Sequence, residues 1–151
     1  MSQIHPYRVS VEWSGGRDGA GKVKGEGSGL ELPLGAPTEF GGTGVGTNPE
    51  ELLASAVAAC YTITFGIISA NRKLPVTSIR ATAVGEVEQS GMQFTYKSLT
   101  IKPEITLASA ATDDDLKAAE DMAHKADLYC IITNAVRDKV SITVEPQIVR
   151  A

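Results

Sequence analysis

Hydrophobic and polar residues alternate over the first part of the chain, and a turn-forming cluster interrupts the pattern. Residues 7–13 alternate as a half-buried strand does, and residues 22–34 are typical of one or two further short strands. Between them, residues 14–19 are rich in Ser, Gly and Asp, and Gly and Asp tolerate the positive φ of tight hairpins. The pattern predicts a small antiparallel sheet at this end of the chain.

A long helix is predicted from residue 49 to residue 70. Asn48 can cap its first amides, and Pro49 suits the first helical position because its missing N–H would be unpaired there. Polar residues interrupt the apolar tract, so we expect a buried helix of a soluble protein and not a membrane span. An apolar stripe at helical spacing includes Cys60. The stripe consists of Leu53, Ala56, Val57, Cys60, Ile63, Thr64 and Ile67.

The second half of the chain combines strand-like and helix-like segments. The predicted elements are strands at 79–88, 93–107 and 141–145, and helices at 113–127 and 131–137. Gln89-Ser90-Gly91 is the predicted hairpin turn between the first two strands. The inner face of the first helix is predicted to be Leu116, Ala119, Ala123 and Ala126. Strands and helices in separate blocks predict an α+β fold with antiparallel sheets, in a single domain over residues 1–151.

Composition and charge exclude several classes of protein. The 151 residues are 42% hydrophobic, which is enough for a packed core. The net charge of −4 argues against a nucleic-acid binder, which would carry a basic surface. The first residues have no basic stretch followed by an apolar one, so we expect a cytoplasmic protein. Two cysteines are too few for a disulfide scaffold or a four-cysteine zinc site.

Cys60 is a candidate nucleophile whose surroundings in sequence contain no activating cation. A thiol reacts as its thiolate, and burial on an apolar face raises its pKa. Cys60 lies about three turns into its helix, where the helix dipole has faded. No Lys or Arg occurs between Gly25 and Asn71, so an activating cation must come from elsewhere in the fold or from a second subunit. The alternative is that Cys60 is a small, inert core residue.

Three sequence stretches together resemble the OsmC/Ohr family of osmotically inducible and organic-hydroperoxide-resistance peroxidases. The first is Ser14-Gly15-Gly16-Arg17-Asp18-Gly19, and the second runs from Gly46-Thr47-Asn48-Pro49-Glu50-Glu51 to Ala58-Ala59-Cys60. The third is Cys130 followed by Ile131-Ile132-Thr133-Asn134-Ala135-Val136. The resemblance spans nearly the whole chain and is closest to the OsmC-like peroxiredoxin branch.

The resemblance implies roles for four residues. Cys60 would be the peroxidatic cysteine and Cys130 the resolving one, while Arg17 would be the active-site arginine and Glu50 the acid that orients it. A guanidinium stays charged at neutral pH, and it would stabilise a thiolate and bind a peroxide oxygen. A carboxylate paired with it would fix its orientation. Without the resemblance, Arg17 is equally well a solvated hairpin residue, and Glu50 and Glu51 simply complement the helix dipole.

The resemblance also implies a reaction cycle and partners. The Cys60 thiolate would attack an organic, possibly fatty-acid, hydroperoxide and become a sulfenic acid, and Cys130 would condense with it to a disulfide. An external dithiol of lipoyl type would reduce the disulfide, with no bound cofactor or metal. The family fold is an intertwined homodimer with the long helices at its centre and the site at the subunit interface. No nucleic acid or membrane partner is expected.

One departure from the family and several alternatives accompany this hypothesis. Ile131 stands where better-known members carry a proline after the second cysteine. A position near a helix N-terminus favours a lowered pKa for Cys130, and a buried structural cysteine is the alternative. Two further alternatives are that the fold binds a small apolar ligand without catalysis and that the enzyme prefers hydrogen peroxide.

Two other motifs are weaker candidates. Residues 41–46 form a glycine-rich stretch before a helix, but no Lys follows it and two glutamates would repel a phosphate, so we interpret it as a loop. His5 and His124 lack the paired spacing of zinc ligands, and His124 is expected to be solvated.

Overall fold

The computed structural model describes all 151 residues, and they divide into two compact units, Met1–Leu52 and Leu53–Ala151. Each unit holds its own β-sheet. The expectation of a single domain over residues 1–151 stays a prediction.

The first unit contains a three-stranded antiparallel sheet, as predicted. Its strands are β1 (Val9–Ser14), β2 (Ala20–Gly25) and β3 (Glu31–Leu34). The turn after β1 falls in the predicted cluster, where Gly15 has a φ of 98°. The prediction that the first strand is half-buried is wrong, because every residue of β1 is exposed. Its apolar face of Val9, Val11 and Trp13 is therefore uncovered within one chain.

The long helix α1 spans Pro49–Asn71 and begins where the sequence predicts. The side-chain Oδ1 of Asn48 accepts a hydrogen bond from the amide of Glu51 at 2.8 Å, so Asn48 caps the helix. By length and composition α1 is the one helix that would reach across a bilayer, and 22% of its most apolar window is buried within the chain. Core helices of soluble proteins meet the same criterion, so the length alone assigns no environment.

The predicted apolar stripe of α1 is only partly the buried face. The buried residues follow a spacing of four and are Val57, Tyr61, Phe65 and Ser69. Ile63 and Ile67, which we expected on the stripe, are 63% and 57% exposed. The large aromatic side chains face the core, and this rotates the smaller aliphatic ones toward solvent. Cys60, half-buried, lies between the buried face and this exposed apolar face.

The second unit contains a four-stranded mixed sheet built around one strand. Its elements are β4 (Val76–Ser90), β5 (Gln93–Leu107), α2 (Asp113–Lys125), a 3₁₀ turn (Ala126–Tyr129), α3 (Ile131–Val136), β6 (Ser141–Val144) and β7 (Gln147–Arg150). β4 and β5 form the predicted antiparallel hairpin. β6 and β7 pair with β5 in parallel, so the expectation of purely antiparallel sheets is wrong here. The helices α2 and α3 form the crossover that a parallel pairing requires. The strand β7 was not predicted.

The core of the second unit lies between α1, β5 and α2. Tyr61 and Phe65 pack with the buried side chains of β5, which are Leu99, Ile101, Ile105 and Leu107. From α2 and the turn after it, the core takes Ala119, Met122, Ala123 and Ala126, while the predicted Leu116 is only partly buried. The hydroxyl of Tyr61 donates a hydrogen bond of 2.6 Å to the carbonyl of Ala123, and this joins α1 to α2 inside the core.

Substituting Tyr61→Phe tests this buried link. The change leaves the carbonyl of Ala123 without its hydroxyl partner in an apolar core, so we expect a loss of about 1–2 kcal/mol in the free energy of unfolding. Denaturant unfolding measures the loss. The matched control is Tyr129→Phe, whose side chain is 67% exposed, and it should change stability by less than about 0.5 kcal/mol. Equal stability of Tyr61→Phe and the parent would contradict the assigned role.

Candidate active site

The two cysteines, 70 positions apart in sequence, meet in the second unit. Cys60 lies in the middle of α1, and Cys130 immediately precedes α3. Both are free thiols, and their side chains share a hydrogen bond. Cys60 is half-buried, whereas Cys130 is fully buried.

The surroundings of Cys60 favour its thiolate. Burial raises the pKa of a thiol, but four hydrogen-bond donors outweigh burial here and hold the pKa of Cys60 below its ordinary value. In order of their effect, the donors are the Cys130 thiol, the Ile132 amide, the Thr64 hydroxyl and the Ile131 amide. The two amides belong to the first turn of α3. The expectation that only a cation could activate Cys60 is therefore wrong.

Cys130 has the opposite tendency. Its sulfur is the N-cap of α3 and accepts a hydrogen bond from the Thr133 amide at 3.4 Å. Burial nevertheless raises the pKa of Cys130, and so does the hydrogen bond that its thiol donates to Cys60. The expected lowering at a helix N-terminus is not found, since burial and Cys60 outweigh the Thr133 donors. When one proton is lost from the pair, the two shifts therefore favour the charge on Cys60 and the remaining proton on Cys130.

The other two predicted site residues belong to the first unit. Arg17 is exposed and follows the turn after β1, and its side chain lies over Gly41, whose missing Cβ leaves room for it. Gly41 itself has a φ of 81°, so this close approach and the backbone conformation both require a glycine there. Glu50 is in the first turn of α1 and is half-buried, with one carboxylate oxygen shielded from solvent. The roles of Arg17 and Glu50 stay predictions.

Sequence reasoning missed four residues that contribute hydrogen-bond donors to the thiol pair. Thr64 lies one helical turn after Cys60, and the i to i+4 spacing is the signal that could have identified it. Thr133 lies three residues after Cys130, the usual spacing between an N-cap side chain and the amide it accepts. The side chains of Ile131 and Ile132 give no indication that their amides bind Cys60, because any residue other than proline supplies a backbone amide.

An apolar cavity of about 410 Å³ lies along α1 next to the thiol pair. Thr64, which bonds to Cys60, is one of its lining residues, and the others are Ile67, Ile68, Arg72 and Tyr129. A molecule with an apolar body would find hydrophobic contact here with Ile67 and Ile68, which lie about two helical turns after Cys60 on α1.

Other sequence motifs contribute no site. His124 is exposed and lies 3.3 Å from Glu120, one turn earlier on α2. No three His, Cys, Asp or Glu side chains group closely enough to hold a metal ion. In the glycine-rich loop, Gly44 and Gly46 have positive φ and pack closely against neighbouring backbone or side-chain atoms.

The candidate site is thus a pair of interacting free thiols, one with a lowered pKa and one with a raised pKa. The chain belongs to the OsmC-like protein family, whose model matches residues 41–145. This confirms the family resemblance and, with the mixed helices and sheets, the expected α+β fold class.

Named relatives cover nearly the whole chain. It is 30% identical over 144 residues to the uncharacterized protein YmaD of Bacillus subtilis, with 95% of each chain covered. It is 28% identical to the peroxiredoxin OsmC of Escherichia coli, over 87% of this chain and 90% of that one. A crystal structure of an organic hydroperoxide resistance protein OsmC from Legionella pneumophila has 25% identity and a TM-score of 0.70. The alignment covers 98% of this chain and all of that one.

Removing the thiol of Cys130 should make Cys60 less acidic. In Cys130→Ala the strongest donor to the Cys60 sulfur is lost, so we expect the pKa of Cys60 to rise. The rate of alkylation by iodoacetamide against pH then shifts to higher pH. The matched variant Cys130→Ser keeps a hydroxyl donor and should shift the profile less. Identical profiles in all three proteins would remove Cys130 from this role.

Proposed function

We propose that this chain is a thiol-dependent peroxidase that reduces organic hydroperoxides to alcohols. The observation that carries the proposal is the interaction of the two cysteine side chains, in which the Cys130 thiol donates a hydrogen bond to the Cys60 sulfur and lowers the pKa of the more exposed cysteine. A nucleophile must be reachable and must ionise readily, and the partial exposure and lowered pKa of Cys60 favour both. The names of its family relatives agree with this class of reaction.

In the first step the Cys60 thiolate attacks the terminal oxygen of the hydroperoxide. The O–O bond breaks, the alkoxide takes up a proton and leaves as an alcohol, and Cys60 becomes a sulfenic acid. The Thr64 hydroxyl and the two amides of α3 hold the sulfur in place during this attack. Because these donors are fixed by the fold, they need no rearrangement when the charge moves.

In the second step Cys130 resolves the sulfenic acid. Its sulfur attacks the Cys60 sulfur, hydroxide leaves with the Cys130 proton as water, and a disulfide joins α1 to the start of α3. The contact of the two side chains in the reduced protein means that little movement is needed. Ile131, which replaces the family's proline, keeps an amide that bonds to Cys60. This departure therefore adds a donor to the peroxidatic sulfur.

Arg17 and Glu50 would complete the site in the roles that the resemblance implies. A guanidinium beside the peroxide would donate hydrogen bonds to the oxygen that carries charge in the transition state. Glu50 would hold that guanidinium by a charged hydrogen bond. We propose both as catalytic residues, acting on the cysteine of their own chain or of a second subunit.

The walls beside Cys60 favour an organic substrate over hydrogen peroxide. Ile67, Ile68 and Tyr129 offer apolar contact to a hydrocarbon body, and hydrogen peroxide would gain nothing from them. A fatty-acid hydroperoxide fits this chemistry. The same cavity would also suit a purely binding role with an apolar ligand, but such a role gives no reason for a thiolate at its edge.

A homodimer would cover the apolar surfaces that one chain leaves open. The face of β1 with Val9, Val11 and Trp13 is exposed, and so is Ile63 on α1. Large exposed apolar patches are characteristic of protein interfaces. An isologous dimer that buries such faces agrees with the intertwined dimer of the family.

The reductant in this proposal is an external dithiol of lipoyl type, and no bound cofactor takes part. A dithiol reduces a protein disulfide completely, because its second thiol closes an intramolecular ring. The cytoplasm maintains thiols in the reduced state, so the proposal places the chain there.

Consumption of cumene hydroperoxide with dithiothreitol tests the activity. The purified protein should turn over and Cys60→Ser should be inactive, while Cys130→Ser, tested without dithiothreitol, should reduce about one equivalent and then stop at the sulfenic acid. Comparison with hydrogen peroxide at equal concentration should favour the organic substrate. Full turnover by Cys60→Ser would refute the peroxidase proposal, and equal rates with both peroxides would refute the substrate preference.

Arg17→Ala tests the proposed arginine. Loss of the guanidinium should slow the reaction of Cys60 with cumene hydroperoxide by at least about tenfold, by removing charged hydrogen bonds from the transition state. The control Arg8→Ala removes another exposed cation of the same unit and should leave the rate within about twofold of the parent. Equal rates for the two variants would exclude Arg17 from the site.

A further inference from the structure

A buried hydroxyl lies beside the resolving cysteine. Thr133 is fully buried in the first turn of α3, and its Oγ1 has no hydrogen-bond partner of normal geometry. Its amide donates to the Cys130 sulfur at 3.4 Å. The amide contact places Thr133 beside that sulfur, and a hydrogen bond from its hydroxyl would favour the Cys130 thiolate and lower the pKa of that thiol. Thr133 thus has an amide and a hydroxyl beside one sulfur, and neither is a donor to Cys60.

The amide and hydroxyl of Thr133 favour a Cys130 thiolate, but Cys130 stays protonated in the resting protein. These donors must therefore act in another state of the site. Buried hydroxyls are usually hydrogen-bonded, so an unpartnered one requires an explanation. In the resting state Cys130 stays protonated, and its S–H group donates a hydrogen bond to the Cys60 sulfur. Negative charge develops on Cys130 in two steps of the cycle, when its sulfur attacks the Cys60 sulfenic acid and when the Cys60–Cys130 disulfide is broken with Cys130 as the leaving group.

The exposure of the two sulfurs determines which of them an external thiol reaches. Thiol–disulfide exchange requires the attacking sulfur to approach the target sulfur directly, and access controls the rate. Cys130 is 0% exposed, whereas Cys60 is partly exposed. An attacking dithiol therefore meets Cys60, and Cys130 leaves.

We propose that Thr133 is a catalytic residue of the reductive half of the cycle, stabilising the Cys130 thiolate as a dithiol attacks Cys60. This inference rests on the proposed function, since it concerns the reduction of the same disulfide. Hydrogen bonds to an ionised acceptor are about twice as strong as neutral ones, so both Thr133 donors gain strength as the charge forms. The Thr133 hydroxyl then gains the charged Cys130 sulfur as a hydrogen-bond acceptor in the transition state, and this bond lowers the barrier to reduction of the disulfide.

The step balances with a dithiol monoanion as the reductant. Its thiolate attacks the Cys60 sulfur, the Cys60–Cys130 bond breaks, and the electron pair goes to the Cys130 sulfur. The second thiol of the reductant gives its proton to Cys130 and attacks the mixed disulfide, which releases the Cys60 thiolate. The products are the cyclic disulfide of the reductant, the Cys60 thiolate and the Cys130 thiol.

The site of attack is tested on the protein disulfide formed with diamide. The oxidised protein is exposed briefly to β-mercaptoethanol, quenched in acid and digested, and mass spectrometry locates the mixed disulfide. We expect the adduct on Cys60. An adduct mainly on Cys130 would overturn the proposal, because Cys130 would then not be the leaving group.

The role of Thr133 is tested by separating the two halves of the cycle. Thr133→Val keeps the shape and the amide but removes the hydroxyl, and we expect reduction of the diamide-formed disulfide by dithiothreitol to slow about tenfold. The single-turnover reaction of reduced Cys60 with cumene hydroperoxide should stay within about twofold of the parent. Thr133→Ser restores a hydroxyl and should recover most of the reduction rate. The control Thr77→Val alters an exposed threonine of β4 and should affect neither half.

An unchanged rate of disulfide reduction in Thr133→Val would overturn the proposal. Equal slowing of disulfide reduction and of the peroxide reaction would also overturn it, as would a Thr133→Ser variant that reduces as slowly as Thr133→Val. Because diamide forms the disulfide, the test does not depend on peroxide turnover. A protein that consumed no hydroperoxide but showed the expected reduction rates would refute the proposed function alone.

Discussion

The proposed chemistry of this protein depends on the hydrogen bond from the thiol of Cys130 to the sulfur of Cys60. This bond lowers the pKa of the reachable cysteine and raises the pKa of the buried one, although burial disfavours a thiolate at both. Two amides of α3 and a hydroxyl of α1 also donate hydrogen bonds to Cys60, so neutral hydrogen-bond donors lower its pKa. Such donors are fixed in place and cost no reorganisation when charge develops.

The elements were largely predictable from the sequence, but their pairing was not. Local signals identified α1 through the Asn48 cap and the β4–β5 hairpin through its turn, because caps and turns have their own residue chemistry. The parallel pairing of β6 and β7 with β5 depends on where α2 and α3 return the chain, which no local pattern encodes. The buried face of α1 was misassigned for a similar reason, since Tyr61 competes with Ile63 for the core.

The candidate site, like the fold, was predicted only in part from the sequence. Cys60 and Cys130 were identified from their motifs, and the structure places them in contact. Their relative acidity was predicted wrongly for Cys130, because the helix terminus was considered without the burial that opposes it. Thr64 and Thr133 were missed since a threonine in a helix has many ordinary roles. The spacing of each threonine from its cysteine indicates a role only once the two sulfurs are known to lie close together.

The strand β5 has a consequence for the order in which the protein folds. It pairs with β4 through a local hairpin, but with β6 only across a crossover that contains α2 and α3. Closing such a long connection costs chain entropy before the new strand pairs repay it, so non-local pairing is intrinsically slow. Cys130 lies inside that crossover, next to the last helix before β6. The thiol pair is consequently a product of late assembly, and a chain still folding presents two separate thiols instead of a reactive pair.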